Sequence, residues 1–139
     1  MKIIFLVMIY LTSIYAGYIR DNTNNIIVDT TTKLVWQDNT SPSTMDWTTA
    51  ISYCEALSLG GFSDWRLANI TELASLVDYT TTSPSISNKF QNVYSSDYWT
   101  STTTKSNTSN AFYVNFLSGN RDKLAKTTSK NVRCVRAGQ

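Results

Sequence analysis

Apolar residues recur along this chain in two distinct periods. Trp47, Ala50, Ile51, Cys54 and Leu57 fall at offsets of 0, 3, 4, 7 and 10, which is one face of an α-helix. Asp46 stands in the N-cap position, and Gly60-Gly61 supplies the expected stop. A second helix is predicted from Asn69. Asn69 and Glu72 have the spacing of a capping box, and Ile70, Leu73, Leu76 and Val77 make its apolar face. Two short β-prone runs, 26–28 and 33–36, precede the helices around a turn at 29–32. Residues 80–96 are polar and irregular, with Pro84 as punctuation. Beyond them the period shortens to two. A strand is predicted at 98–101. Phe112, Val114 and Phe116 then alternate with Tyr113 and Asn115, which describes a half-buried strand. Residues 118–120 form a turn, 121–126 the returning strand and 132–136 the last one. The Ser-, Thr- and Asn-rich stretch 102–110 has nothing to bury and is expected to be an exposed loop. Helices and strands are segregated, which indicates an α+β fold with two helices packed on a mostly antiparallel sheet.

The N-terminus has a different logic. Lys2 precedes an unbroken apolar run at 3–11, and a short tail ends at Ala16. This is the pattern of a removable signal peptide, with an uncleaved N-terminal anchor as the alternative, and the run is well short of the roughly 20 residues a spanning helix needs. The organisation expected is a signal peptide at 1–16, a loose lead-in at 17–25 and one domain at 26–139. The domain is then exported to the periplasm, the cell surface or the medium, and contact with membrane is confined to the transient leader. An exported chain keeps disulfides, so Cys54 and Cys134 are expected to pair, and two free buried thiols are the alternative. In the chain-entropy account, a bridge across that separation removes about 4–5 kcal/mol of unfolded-state freedom.

Charge changes the picture in one respect. Residues 17–97 carry four basic and nine acidic groups, and residues 98–139 carry seven basic groups against Asp122 alone. The halves stand at −5 and +6, an asymmetry that points to an anionic partner. Nucleic acid does not suit an exported protein whose total is close to neutral. The chain contains no His, which removes His-based acid–base and nucleophilic chemistry. With both Cys in a bridge no thiol nucleophile is left, and no Gly-rich phosphate loop appears. No catalysis and no cofactor are expected. Metal binding is also not expected, because a CxxC pair is missing and Asn120-Arg121-Asp122 only faintly echoes an oxygen-rich calcium site.

Seven blocks in order resemble the Lcl C-terminal domain family, named after the terminal domain of a bacterial collagen-like adhesin. They are Thr32-Lys33-Leu34-Val35-Trp36-Gln37-Asp38; Trp47-x-x-Ala50-x-x-Tyr53-Cys54; Gly60-Gly61-Phe62-Ser63-Asp64-Trp65-Arg66-Leu67; Asn69-x-x-Glu72-Leu73-x-x-Leu76-Val77-Asp78; Tyr98-Trp99-Thr100-Ser101-Thr102; Tyr113-Val114-Asn115-Phe116-x-x-Gly119; and Val132-Arg133-Cys134-Val135-Arg136. Ala68 stands where the family usually has Pro, a change that should loosen the entry to the second helix. The resemblance implies a C-type-lectin-like topology with first and last strands adjacent and a helix-to-strand disulfide. It also implies a domain linked to trimer formation and to sulfated, glycosaminoglycan-like polysaccharides. No collagen-like Gly-x-y stretch is present here.

These readings divide the conspicuous side chains. Trp36, Trp47 and Trp65 lie within the family blocks and are expected in the core. Trp99 leads into the polar loop, has the best prospect of partial exposure, and is the aromatic candidate for the ligand site beside the cations below. Arg66, Arg133 and Arg136 are expected to be mainly structural. Lys105, Arg121, Lys123, Lys126 and Lys130 are left as a cationic surface for sulfate or carboxylate groups, with Arg121 and Lys123 on one strand face. Three functions fit: a binding module for anionic polysaccharide, a display domain that binds a surface protein, and a structural subunit of an envelope assembly, in which a homotrimer is one form. The display reading would be marked by a near-copy of the 3′ coding sequence beside a reverse transcriptase.

Overall fold

The computed structural model describes residues 17–40 and 42–138, so the signal peptide read at 1–16 lies outside the described residues. The strands form two antiparallel sheets. The first has five strands: β1 (Tyr18–Asp21), β2 (Ile26–Asp29), β3 (Leu34–Gln37), β8 (Cys134–Ala137) and β4 (Arg66–Leu67), in the order β1-β2-β3-β8-β4. The second has three, β5 (Asp97–Thr103), β6 (Asn110–Asn115) and β7 (Arg121–Ala125), paired in chain order. Two helices, α1 (Trp47–Glu55) and α2 (Ile70–Ala74), complete the fold.

The inner strands are covered on both faces. In the first sheet Ile27 lies opposite Trp36 and Trp36 opposite Val135. All three are fully buried in one cluster with Leu73, Leu76, Tyr98, Val114 and Phe116. The alternate positions, Ile26, Val35, Leu67 and Cys134, face a second cluster with Ala50, Cys54, Trp65 and Trp99. This two-sided burial explains why the strands read as short continuous apolar runs and do not alternate. In the second sheet Tyr98 pairs with Val114 and Trp99 with Tyr113, and these two rows point into the two clusters in turn.

The local signals for the helices hold at their starts. The Asp46 side chain accepts a hydrogen bond from the Thr49 amide at 2.8 Å. Asn69 and Glu72 form a complete capping box, with bonds of 2.8 and 3.0 Å. The end of α1 differs from expectation. It stops at Glu55, with Ala56 as cap. Gly60 and Gly61 lie further on, at φ +64° and +81°, in a tight turn that bridges Leu59 and Phe62. These left-handed angles suit glycine, so the Gly pair serves this turn and not the helix stop.

Three other expectations are corrected. Residues 17–25 are not a loose lead-in. Tyr18–Asp21 pairs along its whole length with β2, and the Tyr18 ring packs edge-on against Phe90 with centroids 5.3 Å apart. The last strand lies beside β3 and β4, not beside the first strand. The loop after β5 is shorter than 102–110, because the strand runs through Thr103 and Thr104 is buried. Only 105–109 are exposed throughout.

Cys54 and Cys134 are bonded, with Cα atoms 5.5 Å apart. The bridge fastens α1 to β8 within the second cluster. Among the described residues, no helix is long and apolar enough to cross a membrane.

Candidate functional site

The charge asymmetry of the sequence is largely consumed inside the fold. Three cations of the C-terminal part reach carboxylates of the N-terminal part. Arg133 pairs with Asp38 at 3.0 Å, Lys130 with Asp97 at 2.9 Å and Arg136 with Asp64 at 2.6 Å. Asp38 is the hub of the most buried of these groups. Its side chain is sealed from solvent and also accepts from Arg20 Nη1 and from the Gln91 and Asn92 amides at 2.8 and 3.2 Å. Arg133 in turn donates to the carbonyls of Gln37 and Asn92. Burying a carboxyl group is costly unless its oxygens are paired and hydrogen-bonded, as they are here. Asp38, Arg20 and Arg133 therefore tie β1, the end of β3, the 88–93 loop and the approach to β8 into one unit.

Lys130 is corrected by this arrangement. It was expected on a cationic surface, but it is only 5% exposed. Its ammonium is held by Asp97 and lies 3.8 Å from the Tyr113 ring centroid. Trp99 is corrected as well. It is fully buried, and its indole N–H donates to the Met45 carbonyl at 3.1 Å. Trp36 and Trp65 are buried. Trp47, expected in the core, is half-buried; its indole N–H donates to the Thr100 carbonyl at 2.8 Å, and Lys126 Nζ lies 3.9 Å above its ring. Lys126 is thus a cation–π cover for Trp47 and is less available to a ligand than the sequence suggested. Arg66 forms a two-pronged bond with Glu72, both distances 2.7 Å, and holds that carboxyl below its usual range. Arg136 does the same for Asp64 while stacking on Phe62 at 3.7 Å.

Lys105, Arg121 and Lys123 are exposed, and among the described residues no carboxylate stands within ion-pair distance of them. Arg121 and Lys123 project from β7, an edge strand. Lys105 belongs to the 105–109 loop, which meets the end of β7 where the Lys126 amide donates to the Ser109 carbonyl at 2.9 Å. The fold thus reduces five candidate cations to three, all around one strand.

At the Arg121 end of β7 lies a depression of about 490 Å³ that the sequence did not reveal. Tyr79, Tyr113, Ser118, Asn120, Arg121 and Asp122 contribute to its walls. Burial first, and then the Asp97 and Asp122 carboxylates, push the Tyr113 phenol above its usual pKa. The sequence signals for this place are Asn120-Arg121-Asp122, read there only as a faint calcium-site echo, and Tyr79, an aromatic at the edge of a polar stretch. Gly119 forms the floor at φ +83°, and a Cβ added there would lie 2.7 Å from Val77 Cγ1 and 3.0 Å from Tyr79 Cε1. Gly119→Ala is therefore expected to destabilise the domain by about 1–3 kcal/mol, from backbone strain and crowding together. Urea titration checks this, and an unchanged midpoint would show that the turn can relax around the methyl group.

Among the described residues, no group of three or more His, Cys, Asp or Glu is placed to hold a metal ion. A search among curated proteins finds no match to this chain. The sequence model of the Lcl C-terminal domain matches residues 25–136, a span that runs from the turn before β2 into β8 and takes in both helices, both cysteines and strand β7. On a match of that extent, the chain belongs to the Lcl C-terminal domain family.

Proposed function

We propose that this chain is a non-catalytic binding domain of an adhesin-like protein at the cell surface or in the medium. In this reading the fold is C-type-lectin-like and the ligand is an anionic, sulfated or carboxylated, polysaccharide. The family membership supports the adhesin-like setting. The observation that carries the ligand class is the sorting of cations. Arg20, Arg66, Lys130, Arg133 and Arg136 are engaged in ion pairs, whereas Lys105, Arg121 and Lys123 stand exposed without a carboxylate partner around β7 among the described residues; Lys33 and Lys89 are likewise exposed without one, but apart from that strand. An edge strand with unpaired cations suits the side of a linear polyanion, and charge on the edge also discourages pairing with another sheet.

The test is retention on heparin resin. The triple variant Lys105→Ala, Arg121→Ala, Lys123→Ala should elute at clearly lower salt than the parent. The slope of log affinity against log salt should shrink by roughly 0.7–0.9 for each cation removed, as for other linear polyanions. Equal elution of parent and variant would remove the basis of this reading. A second reading, a display surface for a protein partner, rests on the exposed 105–109 loop. It predicts retention that ignores the triple variant and a partner captured through that loop.

A further inference from the structure

Three surface cations can attract a polyanion, but they cannot by themselves recognise a sugar. The depression at the Arg121 end of β7 has the composition for that. Tyr79 is 78% exposed, so its ring contributes little to the core. One edge of the ring nonetheless lies over Gly119, where a side chain would not fit. The groups opposite differ in availability. Asn115 is fully engaged: Oδ1 accepts from the Leu117 and Ser118 amides at 2.8 and 3.1 Å, and Nδ2 donates to Asp97 at 2.7 Å. Asp122 uses only Oδ1, which accepts from the Lys123 amide at 2.8 Å. Asn120 and Arg121 are exposed at the rim.

Building on the polysaccharide reading, we propose that this depression holds one sugar ring of the chain. The apolar C–H face of the ring lies on Tyr79. Asn120 and the outer oxygen of Asp122 take ring hydroxyls, and Arg121 takes a single acidic substituent. A few convergent polar groups beside an aromatic wall are the usual makings of a small-molecule site. The neighbouring signs matter too. Arg121 and Asp122 both line the depression, and as consecutive strand residues they leave β7 on opposite faces, so an anionic group is welcome on one side of it and repelled on the other. The ligand class is therefore a ring with one acidic group and free hydroxyls, in preference to one carrying anions on every side.

The experiment is calorimetric titration of the purified protein across a salt series with two probes: a hyaluronan hexasaccharide, whose acidic rings each carry one carboxylate and free hydroxyls, and a heparin-derived hexasaccharide, which carries anions on most sides; the first is expected to show the Tyr79 dependence. Tyr79→Ala should weaken binding roughly tenfold or more, the size of effect seen when an aromatic anchor is truncated, and should leave the salt slope unchanged. Tyr79→Phe should bind like the parent. If Tyr79→Ala binds as tightly as the parent while the triple cation variant loses affinity, the ring site is wrong and the polysaccharide reading stands. If the parent binds neither hexasaccharide, both are overturned. Because Tyr79 is exposed, both variants should melt with the parent, which separates loss of binding from loss of fold.

Discussion

Asp38→Ala should be the most damaging single substitution in this domain, lowering stability by about 3–5 kcal/mol. The reason is what it leaves behind. The carboxylate balances two guanidinium groups whose side chains are 7% and 3% exposed, those of Arg20 and Arg133. Without it, two charges stay in the interior with carbonyls for company, and the Gln91 and Asn92 amides lose their acceptor. The cost of stranding a buried charge exceeds what the intact pair contributes. Asp38→Asn separates the components in part: it removes the charge but keeps an acceptor oxygen for one of the two amides, which donate to different carboxylate oxygens of Asp38. It should fall between the parent and Asp38→Ala in urea titration. Should Asp38→Ala unfold at the parent's urea concentration, the cluster would be ornamental and the joining of β1 to the rest would need another cause.

The second large effect is expected from the disulfide. The double variant Cys54→Ala, Cys134→Ala should lose about 2–5 kcal/mol. The bridge spans 80 positions, so it forbids many extended conformations of the unfolded chain. Both cysteines are fully buried, and reductant without denaturant should therefore act slowly, through transient opening. Urea titration with and without reductant measures the contribution directly, and coincident curves would show that native packing alone fixes β8 against α1. The two perturbations should not add simply. Arg133 and Cys134 are neighbours, and the Cys134 amide donates to the Gln37 side chain at 2.9 Å, one residue from Asp38. Sites that share a strand and its hydrogen bonds are coupled.

How much of this was legible from residues alone depends on the range of the interactions concerned. The starts of both helices were, because Asp46 and the Asn69–Glu72 pair act within one turn. Strands β6, β7 and β8 were, because alternation and turn chemistry are local. Strand β1 was missed because what makes Arg20 a buried residue is Asp38, eighteen positions away. Lys130 was misplaced for the same reason, since its partner Asp97 lies 33 positions off. Trp99 was expected to be partly exposed because its strand leads into a polar loop. In fact both faces of β5 are covered, and periodicity along one strand does not tell what the opposite face meets. The candidate site was half legible. Its cations stood out as a cluster, but which of them would be neutralised depended on the fold, and the Tyr79 wall depends on the approach of a loop to the β6–β7 turn.

The position of β8 sets a condition on how the molecule is made. The last four-residue strand, Cys134–Ala137, is not an edge but the partner of both β3 and β4. Until it is synthesised, β4 has no neighbour in the sheet, Cys54 has no thiol to meet, and the Asp38 carboxylate lacks Arg133. A nascent chain can form its helices early, because those contacts are short in sequence, but closing the first sheet joins residues about a hundred positions apart and is intrinsically slow. The domain therefore finishes folding only once β8 has been synthesised, and a truncation that removes this strand acts at its centre.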